Sequence, residues 1–441
     1  MARIKNRLIK EEYPELDETV YEYNHVSGLH LQIIPKPGFY KKFAVCALDF
    51  GAVHTKFQLP GSNEIVVVPD GVAHFLEHKL FEQPDMNVMD QYLALGASPN
   101  AATSFLWTYY YFTCTDNFEQ CFKLLMKFVQ HPHFTEENVE KEKGIIAQEI
   151  NMYRDEPEYV VSMNAIDLMY HNNPIKKDIA GTVESIQEIT PDILNMCHRT
   201  FYSPDNMTIT VVGDLEPEQI VDMVEEGFAG VRLCNANSVP TVIFDDEPKS
   251  IVAKEKTSTM DVAMPLFTMA FKDDPKLCPH GKAYGENLIQ REIAGNIAKN
   301  VLFGRTSAFY ENLYNKGLIN SDFYADYDID RIYAMASIGG ESPDPLEVRK
   351  ALEEYIAQNL EHGLPEESCE MIKNSAAGRM LKRLNSPDAM GKMFATSYFA
   401  GINPFDYFKA YGKISYDDVM NVFREIYSGD MVTSIVKGSG S

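Results

Sequence analysis

The stretch GVAHFLEHKL at residues 71–80 sets three groups that can bind a metal ion or a proton inside an apolar segment. On a helix, His74 and His78 are one turn apart and share a face, so their imidazoles could bind one metal ion. Glu77 lies about 60° round the helix from His74, where it could accept a proton from a metal-bound water without ligating the metal. The segment reads as the H-E-x-x-H zinc motif in reverse order and predicts a hydrolytic zinc site.

A hydrolytic zinc needs three protein ligands and one open position, so a third ligand must come from another segment. The predicted helix VEKEKGIIAQEINMY at 139–153 carries Glu142 and Glu149 two turns apart on one face. The apolar neighbours of Glu149 are Ile145, Ile146, Ile150 and Met152. An unpaired carboxylate is unfavourable among such residues, which favours Glu149 as a ligand and Glu142 as a supporting group. The alternative is a pair of histidines satisfied by hydrogen bonds and an ordinary solvated glutamate.

Both strands and helices are expected around these residues. The segments 43–50, 107–114 and 208–215 are rich in β-branched and aromatic residues, which is typical of strands. Helical periodicity is clear at 118–130 and again from Glu136 to about Tyr153. Strands alternate with long helices in both halves of the chain, which predicts a fold that mixes the two.

Two pairs of segments repeat along the chain. The segment that begins ITPDILNMCHRTFY at Ile189 aligns without gaps to ISYDDVMNVFREIY at Ile414, an offset of 225. A second similarity joins FTEENVEKEKG (134–144) to LPEESCEMIKN (364–374) at nearly the same offset. Helix–turn–strand units often look alike, but agreement at two places favours duplication. The repeat predicts two homologous domains.

The predicted domain boundaries follow from the repeat and from one irregular segment. The N-terminal domain, residues 1–230, would bind zinc, and the C-terminal domain, residues 248–441, would have no metal site. The polar stretch between them, LCNANSVPTVIFDDEPKS, would join the two halves. No second H-x-x-E-H motif occurs, and at an offset of 230 the residues that match Glu142 and Glu149 are Ile372 and Arg379.

Charge and cysteine content exclude several classes of protein. The chain has 441 residues with 40 Lys and Arg against 64 Asp and Glu, a net charge of −24. Such a chain should repel nucleic acid and anionic membranes, so neither is expected as a partner. Seven cysteines without a C-x-x-C pair argue against a disulfide framework and a thiolate zinc site. With no apolar run near the N-terminus, a cytoplasmic protein is expected.

Four motifs resemble the insulinase, or pitrilysin, family of zinc peptidases, the inverzincins. They are PDGVAHFLEHKLFE (69–82), NAATSF (100–105), VEKEKGIIAQEI (139–150) and IAGTVESI (179–186). The likeness covers nearly the whole chain and is closest to the paired insulinase-like peptidases of Gram-positive bacteria. The family also includes the mitochondrial processing peptidase, to whose catalytic subunit the chain is similar.

The resemblance implies a role for each residue of the site. His74, His78 and Glu149 match the zinc ligands, with one zinc ion per chain. Glu77 matches the catalytic base, and Glu142 matches a second glutamate that supports the site. The implied activity is that of a zinc metalloendopeptidase that cleaves peptides or unfolded segments.

The resemblance also implies a fold and a mode of substrate binding. The fold class is α+β, with two homologous α/β sandwich domains, each an antiparallel-rich sheet with helices on one face. Family members of this length form dimers whose domains enclose a chamber. An extended peptide would pair with an edge strand in the segment 96–110, where Asn100 and Ala101 match substrate-contacting positions. The alternative is a plain loop-to-strand join in which Asn100 caps a turn.

One family feature is missing. Many members carry an arginine and a tyrosine, seven residues apart, that contact substrate from the second half. The matching stretch here, LYNKGLINSDF at 313–323, has Tyr314 at the arginine position and Asn320 at the tyrosine position. One explanation is drift in this half, or a misplaced gap in the alignment. The other is a division of labour, in which a homologous partner subunit supplies the missing pair. The rival functions are a non-catalytic scaffold and a peptide-binding subunit or chaperone that does not cleave.

Overall fold

A computed structural model of the chain describes residues 8–84, 87–230, 239–273 and 285–439. Residues 231–238, which include the first part of the predicted joining segment, lie outside the described residues. The chain packs as two compact units. Unit 1 holds the residues up to Ile150 together with Lys177–Ile243 and Lys382–Phe399, and unit 2 holds Asn151–Lys176, Phe244–Leu381 and the residues from Ala400.

Strands and helices alternate along the described ranges. The strands are β1 (Ile9–Tyr13), β2 (Glu18–Asn24), β3 (His30–Pro35), β4 (Lys42–Leu48), β5 (Lys56–Gln58), β6 (Ile65–Val67), β7 (Ser98–Thr103), β8 (Thr108–Cys114), β9 (Met207–Gly213), β10 (Thr241–Val242), β11 (Glu255–Thr259), β12 (Leu266–Lys272), β13 (Tyr324–Ile329), β14 (Ala334–Glu341) and β15 (Met431–Lys437). The helices of unit 1 are α1 (Val72–Leu80), α2 (Val88–Ala94), α3 (Phe118–Gln130), α4 (Glu136–Arg154), which runs four residues past the end of the unit, α6 (Val183–Gln187), α7 (Pro191–Phe201), α8 (Pro217–Gly227) and α13 (Pro387–Tyr398). The helices of unit 2 are α5 (Pro157–Met169), α9 (Glu286–Phe303), α10 (Ala308–Asn315), α11 (Pro345–His362), α12 (Glu366–Arg383), α14 (Asp406–Lys413) and α15 (Tyr416–Tyr427), of which α12 ends two residues inside unit 1.

The main sheet of unit 1 is largely antiparallel. Its order over the described residues is β1-β2-β3-β9-β4-β8-β7, and β3 and β9 form its parallel pair. Successive side chains of β4 and β8 point to opposite faces. One face packs in a large core with α1, α3 and α7, through residues such as Cys46, Tyr110 and Phe112. The other face, with Phe43 and Val45, packs against α13.

The sheet of unit 2 repeats this topology. Its order over the described residues is β11-β15-β12-β14-β13, with a parallel first pair and antiparallel pairs after it. The strand order β3-β9-β4-β8-β7 of unit 1 has the same succession of parallel and antiparallel pairs. The helices α7 and α15 begin 225 residues apart, which is the offset of the sequence repeat. The predicted α+β class with two similar domains is confirmed.

Two helices pack away from their own half of the sequence. Helix α5 belongs to the first half of the sequence but packs on β12 and β15 in unit 2. Helix α13 belongs to the second half but packs on β4 and β9 in unit 1. The predicted domains 1–230 and 248–441 describe the two copies of the sequence repeat and stay a prediction. The two packing units are different, because each contains residues from both halves of the sequence.

Two further findings concern the described residues. None of their helices combines the length and the apolar character that crossing a lipid bilayer requires. The described cysteines are all buried free thiols: Cys46, Cys114, Cys121, Cys197 and Cys369.

Candidate metal centre

The start of α1 is fixed by a close approach of two glycines to neighbouring backbone. Gly71 precedes the helix at φ 89°, a left-handed conformation that favours glycine, and a Cβ there would collide with the carbonyl oxygen of Ala180. Gly181 is also left-handed, at φ +78°, and a Cβ on it would collide with the carbonyl oxygen of Asp70. Ser185 Oγ donates to that same oxygen at 2.8 Å. The IAGTVESI segment therefore anchors the helix that carries the H-x-x-E-H motif.

Helix α1 buries its apolar side and brings its histidines together on another. The buried apolar residues are Val72, Ala73, Phe75, Leu76 and Leu80. The ring centroids of His74 and His78 are 4.5 Å apart, as expected for residues one turn apart. The burial of the apolar side against the core fixes the direction in which both imidazoles point.

Helix α4 brings Glu149 to the two histidines. His74 Nε2 lies 3.7 Å from Glu149 Oε1, and His78 Nε2 lies 3.6 Å from Glu149 Oε2. Each residue has a ligand atom within 4.8 Å of the other two, and among the described residues no other group of this kind occurs. Tetrahedral zinc, with ligand bonds of about 2.0–2.2 Å, separates its ligand atoms by roughly 3.4 Å. The observed distances are too long for hydrogen bonds and fit a shared zinc ion.

The apolar surroundings expected for Glu149 are found only in part. Ile146 and Ile150 are buried, but Ile145 and Met152 are exposed by 46% and 54%. Their side chains point to solvent because α4 presents only one face to the core. Glu149 itself is partly buried, with 24% of its side chain exposed.

The two histidines are set up differently for protonation. Burial, and next to it the charge of His78, lower the pKa of His74 to about 3, so this imidazole is neutral at ordinary pH, as a metal ligand must be. His78 Nδ1 is 3.1 Å from Glu142 Oε1. Burial opposes protonation of His78, but the bond to Glu142 and the nearby carboxylates outweigh it and raise its pKa. A proton on Nδ1 leaves His78 Nε2 free to face Glu149.

Glu142 lies beside the cluster and also contacts a buried lysine. Burial alone would raise the pKa of Glu142, but His78 and Lys79 together lower it, so the carboxylate is charged. Lys79 is fully buried, and its ammonium lies 3.5 Å from Glu142 and also contacts Glu82. Lys79 was not among the predicted residues. The sequence did contain a sign of it, because a lysine within an apolar helical segment indicates a buried ion pair.

Glu77 lies next to the three ligand candidates but outside their set. Its Oε2 accepts a hydrogen bond of 2.9 Å from Thr103 Oγ1, at the end of β7. Burial raises the pKa of Glu77, and the charge of His78 and the Thr103 bond oppose this rise only in part. Thr103 was not predicted as a site residue, and its presence within the NAATSF motif was the signal available.

The predicted substrate residues lie on an open strand edge. β7 is the last strand of its sheet over the described residues and pairs on one side with β8. Asn100 is exposed, and its Oδ1 accepts the N–H of Ala101 at 2.8 Å. β7 also packs against α1, so its edge runs beside the histidine helix.

The positions of the missing arginine and tyrosine have their own contacts in unit 2. Tyr314 is half exposed and stacks on Tyr310 with a centroid distance of 5.6 Å. Asn320 Nδ2 donates to Glu341 at 2.7 Å.

Two family models match the chain. Residues 68–183 match "Insulinase (Peptidase family M16)", and residues 188–376 match "Peptidase M16 inactive domain". The first includes the whole H-x-x-E-H motif and Glu149. The second covers most of the half in which the sequence predicts no metal site.

Relatives and solved structures agree with these matches. The uncharacterized zinc protease YmfH of Bacillus subtilis is 38% identical over 96% of this chain and 97% of its own length. A probable β subunit of mitochondrial-processing peptidase from Arabidopsis thaliana is 26% identical over 71% of this chain and 65% of its own. A crystal structure of a protein described as an M16-like peptidase, from Alicyclobacillus acidocaldarius, is 32% identical, covers 98% of this chain and 100% of its own, and has a TM-score of 0.90. The predicted family is confirmed: the chain belongs to the insulinase family of peptidases, family M16.

Proposed function

We propose that this protein is a zinc-dependent endopeptidase that cleaves peptides or unfolded segments. The observation that carries the proposal is the convergence of His74 Nε2, His78 Nε2 and the Glu149 carboxylate, with the carboxylate of Glu77 beside them but outside the set. Three ligands with an open position are typical of catalytic rather than structural zinc. Several relatives carry the name uncharacterized zinc protease, and these names support the same activity.

Each residue would have a separate task in peptide hydrolysis. His74, His78 and Glu149 would hold the zinc ion, which when bound would supply a Lewis acid for the scissile carbonyl and for water. Glu77 accepts the proton of the attacking water and passes it to the leaving amine. Its raised pKa suits a group that must both take and return a proton, and Thr103 holds its carboxylate in place.

The open edge of β7 would hold the substrate. An extended peptide that pairs with β7 gains backbone hydrogen bonds that do not depend on its sequence. Because β7 ends at Thr103, which contacts Glu77, such a peptide would pass the catalytic base. Asn100 and Ala101 would contact its backbone, after the Asn100 side chain releases the Ala101 N–H.

The Glu77→Gln variant tests the catalytic proposal. The amide is similar in size but cannot accept the proton, so cleavage of a quenched fluorescent peptide should fall by at least ~100-fold. Zinc content, measured by atomic emission, should stay at one ion per chain. A zinc-loaded Glu77→Gln protein that cleaves at the wild-type rate would refute the role. A His74→Ala, His78→Ala double variant should bind no zinc, and a chain that purifies without zinc would favour the scaffold instead.

We further propose that a homologous partner subunit completes the site in the cell. The exposed Tyr314 and the engaged Asn320 replace the arginine and tyrosine that the family resemblance leads one to expect. A relative named as a subunit, the mitochondrial-processing peptidase β chain, supports paired assembly. The isolated chain should then be a weak peptidase, alone or as a homodimer around a chamber, and a co-expressed homologue should raise kcat/KM at least tenfold. Full activity that a homologue leaves unchanged would refute this pairing.

A cytoplasmic location completes the proposal. The described cysteines are buried free thiols, which suits a reducing compartment. Cell fractionation followed by immunodetection would test it, and recovery of the protein outside the cytoplasm would contradict it.

A further inference from the structure

A row of aromatic side chains lies on the α13 face of the unit 1 sheet. Trp107 stacks on Tyr109 with a centroid distance of 4.7 Å and an interplanar angle of 10°. Tyr109 meets Tyr111 edge to face at 5.6 Å. All three are half-buried. This aromatic row (Trp107, Tyr109 and Tyr111) begins one residue before β8 and runs along that strand, which is the neighbour of the edge strand β7.

A lysine from α13 covers the row. The Lys392 ammonium lies 3.9 Å from the centre of the Tyr111 ring and 5.6 Å from that of Tyr109. Asp388, one turn earlier on the same helix, is bound by Lys41 at 2.8 Å. Among the described residues, no carboxylate oxygen lies within 4.0 Å of the Lys392 ammonium. In a chain with 24 more acidic than basic residues, a half-buried ammonium held over rings without a carboxylate is unusual.

Strand register connects this ammonium to the peptide-binding edge. Ala102 pairs with Tyr109 and Asn100 with Tyr111, and directly opposite residues of an antiparallel pair share a face. Ala102, between Tyr109 and the edge, has only a methyl side chain. Thr103, the next residue, bonds Glu77. At about 3.3 Å per residue, the ammonium is two to three residues along the strand from Thr103. It lies on the α13 face of the sheet, whereas Glu77 lies on the α1 face, so it would meet a peptide side chain that points away from the catalytic base.

We propose that Lys392 and the aromatic row form a subsite for a carboxylate of the bound peptide, two or three residues from the scissile bond. This inference rests on the proposed function, because it takes the edge of β7 as the peptide-binding strand. The ammonium supplies the opposite charge in a partly desolvated setting, where such a bond is stronger than at an open surface. The rings pack against the methylene groups of the bound residue. The carboxylate belongs either to an Asp or Glu side chain or to the C-terminus of the peptide.

A peptide scan would test the subsite. A quenched fluorescent substrate carries Glu at each position near the cleavage site in turn, with matched peptides that carry Gln, and each is made with a free and an amidated C-terminus. For wild type, Glu should be preferred over Gln about tenfold in kcat/KM at one position, which corresponds to ~1.4 kcal/mol. Lys392→Met should abolish that preference and Lys392→Arg should retain it. Lys123→Met removes one exposed charge from α3 and serves as the matched control.

The outcomes distinguish a side-chain carboxylate from a C-terminal one, and the proposed subsite from the proposed peptidase function. Preference for Glu with either terminus assigns the side chain, and preference only for free termini assigns the terminal carboxylate. Equal use of Glu and Gln by wild type, or a preference that survives Lys392→Met, would overturn the subsite and leave the ammonium as a packing group. If wild type cleaves no peptide, the proposed function fails. Fluorescence anisotropy of the same peptides, labelled, on the Glu77→Gln protein would then still decide whether Lys392 selects a carboxylate.

Discussion

Substitutions of Glu142 would test whether this residue orients the zinc ligand His78 without binding zinc itself. Glu142 Oε1 is 3.1 Å from His78 Nδ1, and the carboxylate is charged and buried. Gln at this position keeps an oxygen that can accept the Nδ1 proton but removes the negative charge. A charge-assisted hydrogen bond is about twice as strong as a neutral one, so the change should cost ~1 kcal/mol of zinc binding. The zinc dissociation constant should therefore rise roughly fivefold.

Glu142→Ala removes the bond altogether. Loss of such a partner of a ligating histidine typically weakens metal binding 10–100-fold, so Ala should be several times more damaging than Gln. Ala also removes one of the two carboxylates that contact buried Lys79, and thermal unfolding should show a lower Tm.

Competition with a chromogenic chelator of known zinc affinity would measure both variants at pH 7.5. Glu140→Gln on the same helix is the matched control, because Glu140 is exposed and pairs with Lys143 rather than with the site. Dissociation constants for Glu142→Gln and Glu142→Ala within twofold of that control would refute the view that Glu142 orients His78.

Three other outcomes are expected. Thr103→Val removes a bond that lowers the pKa of Glu77, so the acid limb of the kcat/KM profile should move to higher pH, and an unmoved limb would contradict the assignment. Lys79→Met removes one partner of the buried Glu142 carboxylate, so the free energy of unfolding, measured by urea denaturation, should fall by about 3 kcal/mol. The control Lys127→Met, at an exposed position, should change it little. Because the pKa of His78 is raised, protons should begin to compete with zinc at a pH above 6.5 as the pH falls. Chelator titrations between pH 5.5 and 8 would measure this, and a zinc affinity that stays constant down to pH 6.5 would contradict it.

The convergence at the site was predictable where local periodicity determines it. The spacing of His74 and His78 on one helical face, and of Glu142 and Glu149 on another, follows from 3.6 residues per turn. The repeat likewise predicted two homologous domains. Both patterns can be read directly from the sequence without knowledge of the tertiary structure.

What the sequence did not reveal depends on pairs that are distant along the chain. Thr103 approaches Glu77 only because β7 packs against α1. Besides Glu82 on the next turn, buried Lys79 contacts Glu142, which lies 63 residues away on α4 and is not indicated by any pattern near the lysine. Exposure of Ile145 and Met152 was misjudged because apolar residues on a long amphipathic helix need not all face the core.

The exchange of α5 and α13 sets an order of events during synthesis. The face of the first sheet that carries Phe43, Val45 and Ala47 is covered by α13, whose last residue is Tyr398. A growing chain can pair β4 with β8 and β9 once residue 213 has left the ribosome, yet it must wait for almost two hundred more residues before that apolar face is closed. At 5–20 residues per second, the face stays open for roughly ten to forty seconds. The nascent protein thus exposes an apolar sheet face while the chain grows from residue 213 to residue 398, and the first half of the sequence does not contain the helix that covers this face.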